Sequence, residues 1–80
     1  MKFIFQLWLD YKQSVVPPDA SEIQVMECRR AFYGGAASLF TFIGTNITSD
    51  GGPTSVDMSI VGSIDQELQE FLRAVKEGRA

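Results

Sequence analysis

From Asp19 to Gly52 the chain has no proline, and across that span apolar residues recur at Val25, Cys28, Phe32, Leu39 and Ile43. Steps of three, four and seven keep these positions on one side of an α-helix, and Met26, Ala36 and Phe40 widen the stripe. Ser21 and Gln24 stand in the S-x-x-Q relation of a capping box, which places the helix start there. Gly44, Thr45 and Asn46 weaken the pattern at the far end. The spacing therefore predicts one helix of about 22 to 26 residues, about 33 to 39 Å long.

A helix is expected on either side of it. Ile4, Leu7, Trp8, Tyr11 and Val15 share a face over about three turns, until Pro17 and Pro18 stop the run for want of amide hydrogens. Ser49-Asp50-Gly51-Gly52-Pro53 reads as the clearest loop. After it, Thr54 and Asp57 form a second possible capping box. The helix beyond is expected to bury Val61, Ile64, Leu68, Phe71, Leu72 and Val75, and to end near Gly78. The fold class read from this pattern is all-α, with residues 1–80 as a single helical domain. Two long helices joined by a glycine-rich turn are expected to form an antiparallel hairpin, with the short N-terminal helix laid across one side.

Eighty residues leave little interior, yet the composition is 45% hydrophobic. Apolar and aromatic side chains on several sides of a long helix exceed what one hairpin encloses, so completion by homo-oligomerisation, at least a dimer, is expected. The formal charge is −3 and the seven basic residues are scattered, which argues against duplex nucleic acid as a partner. A single cysteine and no histidine argue against disulfide frameworks, imidazole acid/base chemistry and most zinc sites. No metal or cofactor is called for, and the chain is read as not an enzyme. Without a base to activate it, Cys28 reads as a structural thiol, and Glu67 and Glu70 read as a solvated helix face. MKFIFQLWLDYK is broken by Gln6, Asp10 and Lys12, so it reads as a folded helix and not a signal peptide. No apolar run reaches membrane-spanning length, and a cytoplasmic setting is expected. Asn46-Ile47-Thr48 then reads as a chance match to a glycosylation pattern.

The stretch Glu27 to Ser38, ECRRAFYGGAAS, sets two arginines and a tyrosine before five small residues inside the long helix. Each glycine costs a helix about 1 kcal/mol relative to alanine. Two arrangements make use of the missing bulk: close approach of another helix, or a hollow in which a ligand lies against the backbone. Arg29 and Tyr33 are four apart and share a face, and Arg30 adjoins them. Guanidinium forks suit phosphate, aromatic rings stack on nucleobases, and Gln24 offers an amide for base or ribose hydroxyls. The candidate ligand-binding residues are Arg29, Arg30, Tyr33, Gln24 and Gly34. The competing plain reading pairs Glu27 with Arg30 as a surface ion pair.

From Pro17 to Ala36 the chain resembles a group of small bacteriophage and prophage proteins with the pattern P-P-D-A-x-x-x-Q-x-x-E-x-R-R-A-F-Y-x-G-A, and its ending ELQEFLRAVKEGRA is similar to theirs. The resemblance implies a phage setting in a host cytoplasm and carries no activity with it. Very small oligomeric phage proteins include anti-defence proteins that sequester cyclic dinucleotides or cyclic ADP-ribose-type signals between subunits. By that analogy of size and architecture, the resemblance implies a non-catalytic binder of a phosphorylated nucleotide signal in an intersubunit pocket. The alternatives are an inhibitor that docks the apolar stripe of its first helix on a host regulatory or defence protein, and a structural phage accessory protein.

Overall fold

A computed structural model describes residues 1–47, 51 and 54–80. Among the described residues all regular structure is helical: α1 (Phe3–Val15), α2 (Glu22–Asn46) and α3 (Ser55–Lys76). The chain divides into two compact units, Met1–Thr41 and Phe42–Ala80.

In the first unit, α1 ends where the sequence requires. The Val16 amide still donates to the Lys12 carbonyl at 3.2 Å, but Val16 itself is extended, with φ −78° and ψ 126°. A following proline enforces that change, because its Cδ clashes with a helical predecessor. Pro17 to Ala20 then form a turn closed by the Ala20 amide on the Pro17 carbonyl at 3.1 Å. Pro18 occupies its second position, where a fixed φ near −65° is already suitable. The Ser21 hydroxyl next accepts from the Gln24 amide at 3.1 Å, giving the serine half of the expected box and starting α2.

Aromatic contact ties α1 to the first part of α2. Trp8 is 3% exposed, with its ring centroid 5.7 Å from Phe32, and Tyr11 lies 5.2 Å from the same ring. Tilted rings at these separations bring edges against faces, the arrangement their quadrupoles favour. Cys28, on the same helix, is half-buried.

The second unit begins with the last turn of α2, where the Asn46 side-chain amide donates to the Phe42 carbonyl at 3.0 Å. Of the expected connecting loop, Gly51 is in a turn, while Ser49, Asp50, Gly52 and Pro53 lie outside the described residues, as does Thr48 of the glycosylation pattern. The expected box at α3 is complete. The Thr54 hydroxyl accepts from the Asp57 amide at 3.1 Å, and the Asp57 carboxylate accepts from the Thr54 amide at 3.0 Å. Asp57 is buried, and its carboxylate satisfies the Thr54 amide, one of the orphan donors of a helix start. The other end closes as a Schellman motif: the Gly78 amide donates to Val75 at 3.1 Å and the Arg79 amide to Ala74 at 2.8 Å. Gly78 adopts φ +73°, a conformation that glycine enters without a Cβ clash.

The expected burial along α3 does not occur within the chain. Of the six positions assigned to its core, only Ile64 is half-buried, while Val61, Leu68, Phe71, Leu72 and Val75 are exposed. The stripe is present, and these five of its side chains are exposed. The same shortage holds on α1, where Ile4, Leu7, Tyr11 and Val15 are exposed beside the buried Trp8. Among the described residues, the buried hydrophobic side chains are Trp8 and Val16.

Candidate functional site

One face of α2 carries the site. Met26, Arg29, Arg30 and Tyr33 follow at steps of three, one and three, which brings four long side chains to one side of two helical turns. Together they line a hollow of about 310 Å³. Three of the five expected ligand-binding residues, Arg29, Arg30 and Tyr33, therefore meet around one space. Gln24 and Gly34 do not line it: Gln24 contributes its backbone amide to the helix cap, and Gly34 follows Tyr33 on another side of the helix.

Arg29 is held between two rings. Its guanidinium carbon lies 5.6 Å from the Tyr33 centroid and 5.7 Å from that of Phe5 on α1. Cation–π attraction of this kind contributes about 0.5 to 1 kcal/mol at an exposed site. It does not consume the guanidinium N–H donors as an ion pair or hydrogen bond would. The Tyr33 ring is in turn 6.4 Å from Phe32, which links the site to the aromatic contact between the two helices.

The plain ion-pair reading is not realised. Among the described residues the ion pair joins Arg79 to Glu77, and neither Arg29 nor Arg30 pairs with a carboxylate. Glu27, three residues from Arg30, makes no such contact. The hollow has no acidic residue in its wall, so both guanidinium charges are uncompensated there.

Among the described residues nothing presses on Gly34 or Gly35. A Cβ built at Gly34 or at Gly35 meets no atom within 4 Å, and neither glycine has a positive φ. Within the first unit, close approach of α1 is therefore not the reason for these glycines. Ala36 and Ala37 do border a second, larger hollow, of about 850 Å³, on the side of α2 toward the first turn of α1. Arg29 and Tyr33 belong to both hollows, and Lys2 adds a further cation to the larger one.

Sequence reasoning missed Met26, Phe5 and Lys2. Met26 was legible, since it lies on the same helical face as Arg29, Arg30 and Tyr33. Phe5 and Lys2 reach the site only through the docking of α1 on α2, which no periodicity announces. No group of three or more metal-ligating side chains occurs among the described residues, and none of their helices is long and apolar enough to cross a membrane. Comparison with protein-family models, curated proteins and solved structures found no match.

Proposed function

We propose that this chain is a non-catalytic binder that sequesters a phosphorylated nucleotide signal, of the cyclic nucleotide or cyclic ADP-ribose type, as a phage anti-defence protein in the host cytoplasm. The observation that carries the reading is the convergence of Arg29, Arg30 and Tyr33 on one hollow, with neither guanidinium in an ion pair among the described residues. Two forks take phosphate oxygens and the phenol ring offers a stacking surface for a base. All four lining residues come from α2, so a single chain supplies one wall. A site that buries most of a small ligand needs a second wall. In this reading a second copy supplies it, α2 and α3 pair as an antiparallel hairpin, and the exposed apolar faces are covered by homo-oligomerisation.

Calorimetric titration with cyclic dinucleotides and ADP-ribose derivatives tests the reading. Saturable heat with one member, reduced in Arg30→Ala, supports it. Absence of heat with every member shifts the assignment to docking on a host protein. That second reading has its own observation: Phe3, Leu7 and Val15 on α1 are more than half exposed. An apolar helical face of this kind suits a groove on a partner.

A further inference from the structure

The larger hollow is a different chemical environment from the arginine face. It lies wholly within the first unit, between the start of α1 and the middle of α2, and its wall is mainly apolar: Phe3, Ile4, Ala36, Ala37 and Phe40. Phe3 and Phe40 are 69% and 79% exposed, so two whole rings beside a concave surface are in water. At about 850 Å³ the space falls in the size range of small-molecule sites. Its charged members, Lys2 and Arg29, are both cations, and no acidic residue joins them.

We propose that this hollow binds an amphipathic anion, a ligand with a chain-like or flat apolar body and one anionic end. The body lies along Ala36 and Ala37, where small side chains leave the depth, and is flanked by Phe3 and Phe40. The anionic end is held by Lys2 and by the N–H groups of Arg29, whose guanidinium carbon lies 5.7 Å from the Phe5 centroid and 5.6 Å from that of Tyr33. Charge complementarity favours this occupant over a second copy seated in the same hollow. A two-fold contact there would set Lys2 and Arg29 against their own equivalents, and like-charge juxtaposition is strongly unfavourable. Arg29 and Tyr33 border both hollows, but the proposal is distinguishable from the nucleotide reading, because Lys2 borders only the larger hollow and Arg30 only the smaller.

The full chain is titrated calorimetrically with decanoate, decan-1-ol and inorganic phosphate, decanoate being kept below its micelle concentration. Saturable decanoate binding is expected, with decan-1-ol weaker by about tenfold, as for loss of a hydrogen bond to a charged group. Lys2→Gln should remove that preference and leave any nucleotide binding intact. Arg30→Ala should leave decanoate binding intact. Ala37→Phe should fill the hollow and abolish decanoate binding, while circular dichroism shows the helices retained. Equal affinity for decanoate and decan-1-ol, phosphate binding as well as decanoate does, or undiminished decanoate binding in Ala37→Phe would each overturn the proposal. So would absence of decanoate binding together with subunit dissociation in Ala37→Phe by light scattering, which would make the hollow a contact between copies.

Discussion

The guanidinium of Arg29 on α2 lies 5.7 Å from the ring centroid of Phe5 on α1, so one contact joins the docking of the first two helices to the candidate site. Fold and site are coupled there. Phe5→Leu keeps most of the apolar bulk but removes one face of the ring sandwich. It should lower the melting temperature only slightly, since the cation–π term is about 0.5 to 1 kcal/mol. Its effect on anion affinity should be larger than its effect on stability, because Arg29 loses the stack that orients it. Thermal melts and titrations on the same variant check both parts.

Trp8 should be the most sensitive single position for folding. It is the most buried large side chain among the described residues and contacts both Tyr11 and Phe32. Trp8→Ala should cost about 3 to 5 kcal/mol. Urea unfolding followed by circular dichroism measures it, and a cost below about 1 kcal/mol would remove this cluster from the account of the fold.

The local signals were the most legible part of the sequence. Pro17-Pro18, the Thr54 and Asp57 box and Gly78 each act through backbone hydrogen bonds within a few residues, so their outcome needs no tertiary information. Helix existence and length followed from the spacing of Val25, Cys28, Phe32 and Ile43. Burial did not follow, because periodicity says which side of α3 is apolar and not whether anything covers it. Leu68 and Phe71 have the right spacing and remain exposed. At the site, Arg29, Arg30 and Tyr33 were legible because they share one helix face. The ring of Phe5 beside Arg29, and the part of the larger hollow's wall that Phe5 and Lys2 supply, depend on how α1 docks.

The cap of α3 gives a separate, local prediction. Thr54→Ala removes the hydroxyl that accepts from the Asp57 amide and should destabilise the chain by about 0.5 to 2 kcal/mol. Thr54→Ser should retain most of the stability. Denaturant midpoints for the pair distinguish loss of the cap from loss of the methyl group.

Gly34 and Gly35 have room for a methyl group within the chain. Gly34→Ala and Gly35→Ala should therefore each stabilise α2 by up to about 1 kcal/mol in a chain that is not pressed from outside. A lowered melting temperature in either variant, with a change in light scattering, would locate a surface from another molecule against that side of α2.

The uncompensated charge of Arg30 is the centre of the functional account, and Arg30→Ala tests it most directly. Calorimetric titration of wild type and variant with the cyclic nucleotide panel should show affinity falling by about 1.5 to 3 kcal/mol, about ten- to hundredfold. The melting temperature should be almost unchanged, since Arg30 is exposed and makes no ion pair among the described residues. Equal affinity in wild type and Arg30→Ala, or no binding of any panel member by the wild type, would contradict the assignment of this face as an anion site.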